Sequence, residues 1–388
     1  MIPYSTQTIS KSDIKGVSNV LRSDWLTQGP LVKKFEKELS KKINSKYSVA
    51  VNSGTSALHI SCMALGLKKG DILWTVPNTF VASANCGLLL GANIDFVDID
   101  KNTFNIDLNL LEKKLLKAKK INKLPKILVP VHFAGQPTAQ DKIWKLSKKF
   151  KFFVLEDASH SLGSYFKNEP VGSCKWSHIT VFSFHPVKII TTGEGGAAVT
   201  NNRKLFNKLR MYANHGITKE RKYFKNKNSK PWHYEQQLLG LNYRMSDISA
   251  SLGLSQLKNL NTFVKKRNDI AKLYNKYLNT EFIQTPFILK NCVSSFHLFV
   301  IKLVGKKKLF HEKLFNFLRK KNIYVHVHYT PIHLQPFYKQ LGFKKGLFKK
   351  SEEHAETAIS LPIYPKIKKQ EVLKVIRLIL NFEKKHDK

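Results

Sequence analysis

The sequence predicts an α/β protein with a mostly parallel, doubly wound sheet, followed by a smaller C-terminal α+β domain. Three observations predict it. Short apolar runs alternate with helical stretches from Tyr47 to Asp157, the βα rhythm of a parallel sheet covered on both faces. A length of 388 residues is too great for one small core. A long helical pattern, 248–278, then leads into a second alternating region. The expected division is a large domain over 1–250, including an N-terminal lead-in, and a smaller one over 251–388.

The elements follow in order. A short helix at 13–21 precedes DWLTQGP (24–30), which has turn chemistry at Gly29-Pro30. An amphipathic helix covers 31–43 and a strand 47–51. NSGTSALH (52–59) then turns through Gly54 into a helix. Strands are expected at 72–76, 94–97, 126–131 and 152–155, the last running into Glu156-Asp157. Helices are expected at 82–90, 108–119 and 139–150. Residues 216–239 read as a long polar loop. Beyond the 248–278 helix come strands at 297–304 and 323–327 and helices at 310–321, 352–359 and 370–382. In a sheet wound this way, ligands bind beyond the carboxyl ends of the strands.

The formal net charge of +39 raises the question of nucleic acid. Yet only 8 of the 66 basic residues are Arg, the residue preferred for bidentate recognition. The lysines lie on helical faces such as VKKFEKELSKKI (32–43) and LEKKLLKAKK (111–120), so they read as a lysine-biased surface with no nucleic-acid partner. A basic nucleic-acid-binding protein stays as the rival of another class, and it predicts salt-steep binding. The four cysteines are scattered without a C-x-x-C pair, which argues against a metal or disulfide framework. No apolar run reaches the roughly 18 residues of a membrane span. MIPYSTQTISKSD has no signal-peptide core, so no membrane partner and a cytoplasmic location are expected.

The chemistry centres on ITVFSFHPVKIITTGEGGAAV (179–199). Lys188 is the only lysine or arginine between Lys175 and Arg203, after an apolar run that reads as a buried strand. Burial disfavours an ammonium, and a neutral, positioned lysine is the nucleophile of Schiff-base chemistry. The alternative is a lysine that snorkels to water. Asp157 at a strand end could keep a pyridine nitrogen protonated, or merely cap the next helix. Gly54, Thr55, Ser56 and Ser183 could hold a phosphate, though Ser and Thr there also suit ordinary capping. Phe80 and His160 offer flat surfaces for a ring. Aldehyde, pyridine and phosphate together describe pyridoxal 5′-phosphate (PLP).

Seven motifs resemble the DegT/DnrJ/EryC1/StrS sugar aminotransferases, which are fold-type I PLP enzymes. They are NSGTSALH (52–59), VPNTFVASAN (76–85), VPVHFAGQP (129–137), LEDASHSLGS (155–164), FSFHPVKIITTGEGG (182–196), NHGI (214–217) and NYRMSDISASLGLSQL (242–257). DWLTQGP, PWHYEQQ, HVHYTPIHLQPFY and AISLPIYP are similar to the transaminases of pseudaminic acid synthesis. The resemblance implies that Lys188 is the Schiff-base lysine and proton shuttle, and that Asp157 pairs with the pyridine nitrogen. It implies that Gly54, Thr55, Ser56 and Ser183 hold the phosphate, that Phe80 stacks on the ring and that His160 lies beside it. Asn242 would reach the phosphate of a partner subunit, making a homodimer with shared active sites. Tyr4, Asp24, Trp25, Leu26, Thr27, His326, Val327, His328 and Tyr329 would line the nucleotide-sugar pocket. No metal is implied. The implied reaction moves an amino group from L-glutamate to C4 of a UDP-linked 4-keto-6-deoxy-N-acetyl sugar. Precursors of bacillosamine, legionaminic acid or perosamine are the alternative acceptors. Some relatives carry His in place of this lysine and act as dehydratases, so Lys188 favours transamination.

Overall fold

A computed structural model describes residues 1–226 and 229–386. The N-terminal helices α1 (Lys11–Leu21) and α2 (Pro30–Lys42) precede the large sheet. Its strands are β1 (Tyr47–Val51), β2 (Ile72–Thr75), β3 (Asn93–Phe96), β4 (Ile127–Leu128), β5 (Phe153–Asp157), β6 (Ile179–Ser183) and β7 (Gly196–Thr200). They lie side by side in the order β1-β7-β6-β5-β4-β2-β3. From β6 to β3 neighbours run parallel, while β7 runs antiparallel to both β6 and β1. A parallel return needs a crossover of a dozen or more residues, usually a helix. Residues 184–195 form no helix, so β7 comes straight back beside β6. That return carries Lys188.

Helices cover both faces, as a doubly wound sheet requires. On one side lie α3 (Gly54–Ala64), α4 (Ala82–Leu88) and the later α7 (Arg203–Tyr212), packed through Ala57, Leu58, Ile60, Cys86 and Leu209. On the other lie α5 (Leu108–Lys120) and α6 (Gln140–Phe150), packed through Leu111, Leu115, Ile143 and Phe150. Neither β7 nor α7 is among the elements expected from sequence.

Several boundaries differ from expectation, each for a local reason. The strand expected over 126–131 is only Ile127–Leu128, because Pro130 has no N–H to give; its carbonyl accepts from Asp157, and Val131 makes a lone bridge. The single helix expected over 248–278 is two, α8 (Asp247–Lys258) and α9 (Leu260–Leu278), joined at Asn259. Residues 216–239 are not wholly irregular: Ile217–Thr218 pairs antiparallel with Glu235–Gln236, while positions 227 and 228 of that loop lie outside the described residues. The helix expected over 352–359 stops at Thr357, and Ala358–Leu361 is a buried strand paired with Phe299–Leu303. Residues 323–327 form no strand; Ile323 bridges Ile2 and His326 bridges Ser360.

The sequence-stated boundary at 250/251 falls inside α8, which packs on α1 and α2. We place the division within α9 instead. Its Leu260 and Phe263 join the core of the large domain, whereas Ala271, Tyr274 and Leu278 join a separate C-terminal core. Ile2 also enters that second core.

Arg267, between those two groups on α9, is fully buried and among the described residues has no carboxylate partner. One guanidinium nitrogen donates to the carbonyls of Phe296, His297 and Ile363 at 3.2, 3.1 and 2.9 Å. Burial pushes its pKa down to about 9. Arg267→Ala leaves three carbonyls short of a donor and opens a cavity, so denaturant unfolding should show a loss of about 2–4 kcal/mol. An unchanged midpoint would mean that this side chain does not tie the two cores together.

Candidate active site

The β5 strand delivers Asp157 to the carboxyl edge of the sheet. Its amide donates to the Pro130 carbonyl at 3.0 Å and its own carbonyl accepts from His132 at 3.1 Å, so the backbone is fixed on both sides. The carboxylate accepts from the Ser83 hydroxyl at 2.6 Å and the Ser159 amide at 3.0 Å. Ser83 sits on α4, and its hydroxyl is also 3.0 Å from that of Thr79. Among the described residues no helix starts directly after Asp157 for it to cap; it is a buried carboxylate held facing one cavity.

Lys188 lies on the wall of that cavity, half-buried, in the return from β6 to β7. The loop is pinned at its base, where the Phe184 amide donates to Gly195 and its carbonyl accepts from Thr192 and the Thr191 hydroxyl. Ile189 and Ile190 anchor its far side in the core with Phe35 and Met245. Burial pushes the Lys188 amine down to about 8, with Asp157 pulling weakly the other way. The side chain lines this cavity, not the outer surface to which the snorkelling alternative would carry it.

The cavity has a volume of ≈ 620 Å³ and gathers Tyr4, Gly54, Thr55, Phe80, Asp157, His160, Ser183, Lys188, His326, His328 and Tyr329 from the sequence-named residues. Helix α3 opens toward it. Ser53 caps that helix by accepting from the Ser56 amide, which leaves the Gly54 and Thr55 amides outside the helical ladder. A Cβ on Gly54 would stand 2.9 Å from the Ser183 Cβ, so glycine preserves the space between them. Phe80 is 59% exposed at the mouth, its ring centroid 6.4 Å from that of Tyr329.

Two larger grooves exist, ≈ 970 Å³ between α1, α2 and α8 and ≈ 700 Å³ beside α5 and α6. Lys188 and Asp157 line neither of them, so the smaller cavity is the candidate site. Among the described residues no group of three His, Cys, Asp or Glu is placed to hold a metal. No described helix is long and apolar enough to cross a membrane.

Some sequence-named residues lie elsewhere. Ser56 is buried, and its hydroxyl donates to the Asn52 side chain and meets that of Ser53, outside the residues that line the cavity. Val327 is in the right segment but does not line the cavity. Asp24, Trp25, Leu26 and Thr27 are held away from this chain's cavity. Thr27 bridges Ser246, and the Asp247 carboxylate takes the Gly29 and Leu31 amides at 2.7 and 2.9 Å. Trp25 lines the groove beside α8 instead. Asn242 is exposed and pairs with Asn214, also outside the cavity of its own chain.

The structure adds residues that sequence reasoning missed. Ser53 could have been found as the N-cap before Gly54. Ser83, Ser159 and Glu194 carry no signal of their own, and neither does His297. The last is buried, its ring centroid 4.3 Å from that of His160 and its Nδ1 without a partner.

One wall of the cavity is thus a run of imidazole and phenol rings. His328 bonds the Ser360 hydroxyl at 2.8 Å, and its carbonyl takes the His354 ring nitrogen at 2.9 Å. Burial pushes His328 down to about 3, His354 to about 4 and, on the far side of the sheet near Trp144, His178 to about 4. It holds His160 and His297 well below the usual imidazole range as well.

These histidines make stability depend on pH in a defined direction. Their folded pKa values lie below the unfolded value near 6.5, so the unfolded chain binds more protons as pH falls. The contribution is complete above about pH 6.5 and is lost below it, at about 1.4 kcal/mol per pH unit for each residue. Denaturant unfolding at pH 7 and pH 5 should show a drop on the order of 5 kcal/mol from His328, His354 and His178 together. A flat profile across that interval would contradict the neutral wall.

Comparison with known proteins places this geometry. Residues 7–380 match the DegT/DnrJ/EryC1/StrS aminotransferase family. The UDP-4-amino-4,6-dideoxy-N-acetyl-beta-L-altrosamine transaminase of Campylobacter jejuni subsp. jejuni serotype O:23/36 (strain 81-176) is 41% identical over 342 residues, 88% of this chain and 87% of that one. The spore coat polysaccharide biosynthesis protein SpsC of Bacillus subtilis (strain 168) is 36% identical over 396 aligned positions, covering 100% and 98%. Among solved structures, Helicobacter pylori PseC, an aminotransferase involved in the biosynthesis of pseudoaminic acid, superposes with a TM-score of 0.90. It is 33% identical and the match covers 98% of each chain.

Proposed function

The chain belongs to the DegT/DnrJ/EryC1/StrS aminotransferase family, and from that premise we propose that it binds PLP in the Lys188 cavity. We propose that it moves an amino group from L-glutamate to C4 of a UDP-linked 4-keto-6-deoxy-N-acetylhexose. The product would be UDP-4-amino-4,6-dideoxy-N-acetyl-beta-L-altrosamine, made by a cytoplasmic homodimer with shared active sites. The observation that carries the reading is a half-buried amine, depressed to about 8, sharing one cavity with a fixed carboxylate and a helix N-terminus.

The residues fit the cofactor. The Gly54 and Thr55 amides and the Ser183 hydroxyl surround space that a Cβ at Gly54 would fill, which suits a phosphate. Asp157, oriented by Ser83 and Ser159, is placed to hold a pyridinium N–H. Phe80 covers the mouth with an aromatic face. When bound, PLP supplies an electron sink for the carbon that loses or gains nitrogen. Lys188 Nζ does the proton work: an amine with its pKa near 8 exists in both protonation states near neutrality and can take a proton at one carbon and return it at another. Asn242 and 24–27, which lie outside their own chain's cavity, are assigned to the site of a second copy.

The acceptor is the finer part of the reading, supported by the similarity to the Campylobacter transaminase and to PseC. The comparable match to SpsC keeps other nucleotide 4-keto sugars, the bacillosamine, legionaminic acid and perosamine precursors, in view as acceptors.

Borohydride treatment of the PLP-loaded protein, followed by peptide mapping, should place the pyridoxyl label on Lys188. Lys188→Ala should lower amino transfer by about 10²–10⁴-fold or more. Label on a different lysine would overturn the site. An assay of several UDP- and GDP-linked 4-keto sugars with glutamate should favour the N-acetylated 6-deoxy UDP sugar; preference for a GDP sugar would overturn the acceptor while leaving the site intact.

A further inference from the structure

A ketone bound beside Lys188, as the proposed amino transfer requires, presents a carbonyl oxygen that reacts faster when a fixed donor points at it. Resting on that reading of the cavity, we infer that the hydroxyl of Tyr329 is this donor, aimed by His160 at the keto oxygen of the sugar. Two contacts fix the direction of the chain. The Ala134 amide donates to His160 Nδ1 at 3.3 Å, so that nitrogen carries no proton and the ring is the Nε2–H tautomer. His160 Nε2 lies 3.1 Å from Tyr329 Oη. With the proton on Nε2, the imidazole donates and the phenol oxygen accepts.

The phenol's own hydrogen must then point away from His160. No other hydrogen bond is formed by Oη among the described residues, and the side chain lines the cavity. A phenol whose lone pair is engaged from within the protein and whose hydrogen is unengaged is a donor toward whatever occupies the cavity.

The neighbours keep this arrangement rigid and neutral. The Tyr329 amide donates to Asn78 Oδ1 at 3.0 Å, and the ring lies against Phe80 and Phe133, with centroids 6.4 Å from each. Protonating His160 would set its Nδ1–H against the Ala134 N–H, and the His297 ring packs against its face. Burial, with Asp157 nearby, raises the Tyr329 pKa, so the phenol holds its proton and polarises the carbonyl by hydrogen bonding alone. The serine and threonine hydroxyls of the cavity cluster near the start of α3 and near Asp157, and among the described residues the Tyr4 hydroxyl has no internal donor to orient it.

Tyr329→Phe keeps the ring and removes only the hydroxyl. Single-turnover measurements on the PLP-loaded variant should show the glutamate half-reaction slowed far less than the sugar half-reaction. Amination of the keto sugar should fall on the order of 10²-fold, expressed in kcat rather than KM. Equal slowing of both half-reactions, or no slowing of either, would overturn the assignment. A wild-type protein that performs neither half-reaction would instead overturn the amino-transfer reading itself. A second measurement is independent of turnover: nitrogen-15 NMR of histidine-labelled holoprotein should show His160 neutral and protonated on Nε2 at pH 7. A proton on Nδ1 would reverse the chain and sink the inference.

Discussion

Everything at the candidate site depends on one desolvated amine. Lys188 sits in a return that forms no helix, so the chain doubles back and β7 pairs antiparallel inside an otherwise parallel sheet. That geometry sets the amine beside the carboxyl ends of β5 and β6 with Ile189 and Ile190 buried immediately after it. Lowering a lysine pKa from 10.5 to about 8 corresponds to a cost on the order of 3 kcal/mol at most, less where cavity water screens it. A fold accepts such a cost where the uncharged amine is useful.

The rest of the cavity answers to the same constraint. Asp157 is near enough to influence Lys188 but has its own fixed donors in Ser83 and the Ser159 amide, so it remains available to a ligand. The opposite wall uses imidazole and phenol rings, and among the described residues Lys188 is the only lysine or arginine lining the cavity. Neutral rings do not compete with the amine for a negative partner. The dense lysine surface elsewhere supplies a positive long-range field for anionic substrates without adding surface lysines to the cavity wall.

Much of this was legible in the sequence because local signals agreed with the global pattern. Tyr47–Val51 and the helix start at Gly54 were readable from an apolar run followed by Ser-Gly-Thr-Ser, and Lys188 from its isolation among uncharged neighbours. The antiparallel β7 was hidden because GGAAV reads equally as a glycine turn or a small-residue strand. Ala358–Leu361 was absorbed into a helix because the preceding residues carry helical spacing and only tertiary pairing with Phe299–Leu303 decides the switch. Ser83, His297 and the Ala134–His160–Tyr329 chain join residues far apart in sequence, and no periodicity encodes such meetings. Ser56 is the right residue type at a helix start, but its hydroxyl is engaged by Asn52 and Ser53, a side-chain meeting that residue type alone does not encode.

The central claim is that the surroundings lower the Lys188 pKa before any substrate arrives, so that a usable fraction of the amine is uncharged near neutrality. Trace acetylation of the PLP-free protein across a pH series, read at Lys188 by peptide mapping, measures this directly. Reactivity at Lys188 should rise with a midpoint near pH 8. A midpoint near 10.5, shared with the surface lysines, would contradict the account.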